Sequence, residues 1–120
     1  MDIEIGFIEG VIRRDPHYVE ALQVLGDDYT KRQKFGEGLK IDEQLACLRP
    51  DDPVVQYNLA CSYSLTSQFE LAAATLEKAI NAGYNDFKWL AKDPDLATLR
   101  KHPAFDKVRE KVRSVQVRVE

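Results

Sequence analysis

Slid against itself by 34 residues, this 120-residue chain meets its own image. Pro16 falls on Pro50, Leu25 on Leu59, Gly26 on Ala60, Tyr29 on Tyr63, Phe35 on Phe69, Gly38 on Ala72 and Leu45 on Ala79. Like meets like in size or polarity at each position. An ordered set of this kind, spread over a full period, marks an internal repeat. A repeat excludes most folds at once, because each unit buries its apolar face only by stacking on the next.

Each unit divides into two helical stretches. Leu22, Leu25 and Tyr29 lie at i, i+3 and i+7 and share one face. Leu59 and Tyr63 repeat the step in the second unit. Phe69, Ala72, Ala73, Leu76, Ala79 and Ile80 form a further helical stripe. Helix starts are marked by Asp15-Pro16 and Asp52-Pro53, an acidic cap followed by a proline in the first turn. Ser67-Gln68-Phe69-Glu70 fits a capping box, and Gly83 stands where a helix end wants a left-handed residue. The small residues Gly26, Ala60, Gly38 and Ala72 are expected where the two helices of a hairpin cross closely, since a large side chain there would push the backbones apart.

These residues resemble the tetratricopeptide repeat (TPR). The first unit supplies Leu22, Leu25, Gly26, Tyr29, Phe35, Gly38 and Pro50, and the second Leu59, Ala60, Tyr63, Phe69, Ala72, Leu76 and Ala79. The match covers residues 17 to 84. It departs from the family at Asp42, where an aromatic is usual, with Ile41 the candidate to fill that gap. It departs also at Leu45 for alanine, at Gln56 for a bulky residue and at Tyr84 for the closing proline. The run WLAKDPDLATLRKHPAF, from Trp89 to Phe105, is similar to a recurrent ending of bacterial TPR proteins, W-L-x-x-D-P-D-L-x-x-L-R-x-x-P-x-F.

The implied fold is all-α: a right-handed stack of antiparallel helical hairpins in one domain. A lone leading helix is expected within residues 1–15, with Ile5, Ile8 and Ile12 on its packing face. Repeat one spans 17–50, repeat two 51–84, and short capping helices fill 86–116. Asp93-Pro94 and His102-Pro103 force new helix starts, because proline lacks the amide that would continue a helix. Phe87, Trp89, Leu90, Leu96, Leu99 and Phe105 are expected to cover the last repeat's apolar face.

Composition narrows function by exclusion. Hydrophobic residues are 44% and charged residues 31%, a globular balance, and the net charge of −3 gives no general pull toward nucleic acid or an anionic membrane. The charge is polarised: residues 1–52 carry 12 acids and 7 bases (net −5), and residues 100–120 carry 3 and 7 (net +4). That basic strip lacks interleaved aromatics and reads as a solvated face. No run approaches the ~20 apolar residues of a membrane helix, and the start MDIEIGFIEG is acidic, unlike a secretory signal. Cys47 and Cys61 have no metal spacing and suit a reducing cytosol. The expectation is a bacterial, cytoplasmic protein without cofactor or metal.

No catalytic constellation is present. His17 and His102 are single and lie beside prolines at helix starts. Asp27 and Asp28, adjacent on a helix, point about 100° apart and do not pair. Nothing nearby activates Cys61. What remains is the concave groove that the family lines with the first helix of each hairpin. The resemblance places Glu20, Gln23, Asp27, Thr30 and Lys31 there from repeat one, and Val54, Tyr57, Asn58, Cys61, Ser64 and Leu65 from repeat two, with Lys88 and Lys92 extending it. TPR modules that clamp a chaperone's terminal carboxylate use lysine and asparagine where this chain has Gln23 and Asp27. Asn58, Lys88 and Lys92 do match the clamp, but Asp27 would repel a carboxylate. The expected function is binding of a partner protein segment, without catalysis. The alternative is self-association, a homodimer completing the short stack.

Overall fold

The computed structural model describes residues 19–119. The expected leading helix and the Asp15-Pro16 cap lie outside them. Among the described residues the chain is all-α. Helices α1 (Val19–Lys31) and α2 (Phe35–Leu48) form one antiparallel hairpin, and α3 (Pro53–Leu65) and α4 (Phe69–Asn81) a second. The cap follows as α5 (Phe87–Leu90), a 3-10 turn (Pro94–Leu96), α6 (Ala97–Arg100), a second 3-10 turn (Pro103–Phe105) and α7 (Asp106–Val119).

Each hairpin closes through the same turn. Gln33 and Ser67, one period apart, both take a left-handed backbone, with φ of 60° and 62°. The Lys34 amide donates to the Tyr29 carbonyl and the Gln68 amide to the Tyr63 carbonyl, each at 2.8 Å. These bonds consume the carbonyls left open at the helix end. Ser67 is therefore not the cap of α4, and the capping box does not form. That helix starts at Phe69 after Gln68, whose side chain makes no capping bond. A capping serine needs an extended backbone, and the chain reversal takes Ser67 elsewhere. Gly83 meets the expectation, with φ of 117°. At α3 the Asp52 carboxylate accepts from the amides of Val54 and Val55, as a cap before Pro53 should.

The small residues stand at close crossings. A Cβ on Gly26 would lie 3.3 Å from Ile41 Cγ2 and 3.4 Å from Asp42 Oδ1. Ala60 and Ala72 are fully buried in the second hairpin. Ile41 packs on Leu25 and Tyr29, filling the gap left by the absent aromatic. Leu45 packs with Leu22 and Val55 and joins the two hairpins. Leu76, Leu96, Leu99 and Val108 are fully buried where the cap meets α4.

The cap's breaks are built as the prolines require. Asp93 Oδ1 accepts from the Asp95 amide and His102 Nδ1 from the Ala104 amide. Arg100 Nη1 donates to the carbonyls of Leu90 and Asp93, stitching the short pieces together. One expected core residue is displaced. Trp89 is 41% exposed, while Leu90 turns inward at 4%. Neighbours on a helix point about 100° apart, so a four-residue helix seats only one of the two.

Candidate functional site

The two hairpins and the cap enclose a concave cleft of about 310 Å³. From α1 come Gly26, Asp27, Thr30 and Lys31, and from α2 Asp42. Tyr57, Asn58, Cys61, Ser62 and Leu65 follow from α3 at helical spacing. The cap adds Trp89, Asp93 and Asp95. The capping segment is thus a wall of the cleft as well as a lid on the core.

The floor is a network of buried polar groups. Tyr57 Oη donates to Asp93 Oδ2 at 2.6 Å, and its ring stacks on Tyr84 with centroids 4.2 Å apart and planes 7° from parallel. Cys61 Sγ donates to the same Asp93 oxygen at 3.7 Å. Burial pushes the Cys61 thiol well above its usual range, and the carboxylates of Asp93 and Asp95 add to this. A protonated, buried thiol is a poor nucleophile. The Tyr57 phenol is likewise pushed up, first by burial. Asp95 is raised by burial and then by Asp93.

At the other end of the cleft Ser62 Oγ donates to Asp42 Oδ2 at 2.5 Å. Asp42 titrates at about 6: burial raises it, the Ser62 bond opposes, and the Asp27 carboxylate raises it further. A carboxylate taken from water costs free energy unless donors or a cation replace the lost hydration.

Ligand atoms of Cys61, Asp93 and Asp95 lie within 4.8 Å of one another, close enough to consider a metal. In this structure hydrogen bonds hold the cluster together. Asp93 already accepts from Tyr57, Cys61 and the Asp95 amide, and Cys61 serves as a donor, which requires its proton.

The expected groove residues divide in two. Asp27, Thr30, Lys31, Tyr57, Asn58, Cys61 and Leu65 line the cleft. Glu20, Gln23 and Val54 are exposed near the starts of α1 and α3 and do not line it. Ser64 is buried, and its hydroxyl has no hydrogen-bond partner among the described residues. Lys88 and Lys92 are exposed and do not line the cleft; the short α5 brings Trp89 to it instead. Gly26, Asp42, Ser62, Trp89, Asp93 and Asp95 line the cleft without being expected there from sequence. The sequence around Asp93 signals only a helix cap, and Trp89, the single tryptophan, has the look of a core residue.

No family model matches the chain. A chloroplastic protein of Arabidopsis thaliana is 39% identical over 84 residues, which is 68% of this chain and 25% of that protein. The peroxisomal targeting signal receptor of Komagataella phaffii is 32% identical over 90 residues, 73% of this chain and 16% of the receptor. The receptor of the same name from Candida albicans is 34% identical over 76 residues, 63% of this chain and 13% of the receptor. The chain therefore spans a quarter or less of the length of these relatives. The similarities fit a TPR-like helical repeat. Among the described residues no helix is long and apolar enough to cross a membrane.

Proposed function

We propose that the chain is a non-catalytic binding module that takes a segment of a partner protein in the cleft. The observation that carries this reading is the cleft's construction. Both hairpins and the cap turn polar side chains and one exposed indole toward a common concavity, an arrangement suited to gripping an extended or helical segment. Similarity to receptors named for a targeting signal supports recognition of a protein segment. The module comprises repeats 17–50 and 51–84 with the cap from 86 to 116. Asp27, Thr30, Lys31, Asn58 and Trp89 are the contacts assigned to the partner. The free thiols of Cys47 and Cys61 suit a reducing compartment such as the cytosol.

A photo-crosslinking residue at Asn58, with a control at the exposed Lys78 of α4, tests this reading. Crosslinks to a partner from Asn58 and none from Lys78 are expected. Equal yields from both sites would remove the cleft as the binding surface.

Self-association is the second reading, favoured by charge polarity. Residues 1–52 are net −5 and residues 100–120 net +4, which suits a head-to-tail pairing of copies. Sedimentation at low and high salt distinguishes the two: a dimer that dissociates as salt rises supports pairing, and a monomer throughout excludes it.

A further inference from the structure

We propose that the cleft selects its partner segment by a basic side chain, arginine or lysine, whose cation enters the cavity that the Trp89 indole shares with the carboxylates of Asp27, Asp42, Asp93 and Asp95. This depends on the cleft being a segment-binding groove and adds the chemistry of what it binds.

Four carboxylates face one cavity against a single lysine, Lys31, which is itself exposed at the end of α1. Two of the four are deeply placed: Asp42 is 9% exposed and Asp93 4%. Buried carboxylates are as a rule paired with a cation. Here, among the described residues, none of the four forms an ion pair. Asp42 and Asp93 are held by neutral donors, the hydroxyls of Ser62 and Tyr57, the Cys61 thiol and the Asp95 amide. Hydrogen bonds of this kind keep a buried carboxylate in place without an ion pair, and the Arg100 guanidinium donates to the carbonyls of Leu90 and Asp93 rather than to the Asp93 carboxylate.

The carboxylates also act on one another. Burial is the larger cause, but Asp27 adds to the upward shift of Asp42 and Asp93 to that of Asp95. A cation relieves that repulsion, whereas a neutral ligand leaves it and an anionic ligand increases it. The indole supplies the second half of the recognition. Trp89 stands half-exposed at the same cleft, and the face of an indole attracts an ammonium or guanidinium group. Carboxylates beside an exposed aromatic face form a site for a cation carried on an apolar stem, which is the make-up of an arginine or lysine side chain. The carboxylates come from α1, α2 and the cap, so the charge is spread along the groove, as a chain segment passing through it requires.

Trp89 is the single tryptophan, so its indole N–H gives one nuclear magnetic resonance cross-peak at the site. The probes are acetylated, amidated peptides Ala-Ala-X-Ala-Ala, with X arginine, its neutral isostere citrulline, or glutamate, and free arginine amide. The arginine peptide is expected to shift the Trp89 peak saturably, with affinity roughly tenfold or more above the citrulline peptide and falling as salt rises. The exposed Asp27→Asn change combined with Asp95→Asn should remove most of that preference. Equal shifts from the arginine and citrulline peptides would overturn the cation preference and leave the segment-binding groove standing. No shift from any peptide would overturn both. Arginine amide binding as tightly as the arginine peptide would make this a small-cation site and overturn the segment as occupant.

Discussion

Tyr57 and Asp93, 36 residues apart, are joined by a hydrogen bond of 2.6 Å between phenol and carboxylate. The bond ties the second hairpin to the cap at the floor of the cleft. Tyr57 is also stacked on Tyr84 in the connection between them. A tyrosine that the family pattern offers as a groove contact is here 5% exposed and fully engaged, so its main work is to hold the cleft's wall in place.

Replacing Tyr57 by phenylalanine keeps the stacking and removes the donor. The buried Asp93 then loses one of its partners, a change worth ~1–3 kcal/mol. Urea denaturation of Tyr57→Phe should show that loss. Unchanged stability would mean that the bond contributes nothing net.

Asp42 gives the fold a pH dependence of definite sign. Its carboxyl titrates at about 6 in the folded chain against an ordinary value of 3.8, because it is buried. The folded state therefore holds more protons between those values. The group's stabilisation is complete below the unfolded pKa and is lost as pH rises through about 6. A tenfold change in proton affinity is worth about 1.4 kcal/mol, so the full difference is on the order of 3 kcal/mol. Asp42→Asn should be more stable than the unmodified chain at pH 7.5, by up to that amount, and the two should converge near pH 4. Parallel stability curves across that range would show that Asp42 is not the group responsible. If the cleft also selects cations, the same substitution stabilises the fold while weakening binding.

The 34-residue repeat makes the hairpins, their close crossings and the cap legible in the sequence. The small residues, the Asp52-Pro53 start and the prolines of the cap all act locally, so spacing alone exposes them. The cleft's chemistry is less legible. Ser62 with Asp42 and Tyr57 with Asp93 join residues 20 and 36 positions apart, and no periodicity links them. Ser67 misleads because serine followed three residues later by glutamate fits a cap. Its equivalent one period earlier is Gln33, which has no capping side chain, and this points to the shared turn. Trp89 and Leu90 are both apolar, and only packing decides which of two neighbours faces inward.

The shared turn is improvable. Gln33 and Ser67 hold a left-handed backbone that ordinary residues adopt at a cost, and glycine relieves it. Ser67→Gly and Gln33→Gly should each raise stability, by ~0.5–1 kcal/mol, where most glycine substitutions lower it. Thermal melts of the single and double variants check this, and additive gains are expected from two turns that do not touch. A loss at both sites would mean that the turns carry no strain.

Ala60 and Ser64 test which face of α3 is inside. Both are buried, at 0% and 5% exposure. Ala60→Leu should cost ~1–3 kcal/mol by overpacking the hairpin crossing. Ser64→Leu should cost a comparable amount, although the family pattern places Ser64 on the open groove. Asn58→Leu, on the exposed cleft side, should alter stability little. Denaturant midpoints of the three variants decide the matter, and a neutral Ser64→Leu would return that residue to the surface.

The cap should prove inseparable from the repeats. Leu90, Leu96, Leu99, Phe105 and Val108 are all buried and belong to one cluster with Leu76, Ala79 and Ile80 of α4. Burying each large side chain is worth ~1.5–3 kcal/mol, so the set together matches the whole stability of an ordinary domain. Ending the chain at Tyr84 would expose the far side of α4 and delete the acceptor of the Tyr57 bond. The 1–84 fragment should aggregate or lose its cooperative transition. A milder probe keeps the full length. Leu99→Ala leaves a cavity at a fully buried position and should cost ~2–5 kcal/mol. Because the second hairpin and the cap share one core and the first hairpin packs on Val55 of α3 through Leu22 and Leu45, that loss should appear equally in the far-ultraviolet signal of the helices and in the fluorescence of Trp89. Two separate transitions, with the cap melting first and the helical signal unmoved, would show that the hairpins stand alone and that the cap serves only to wall the cleft.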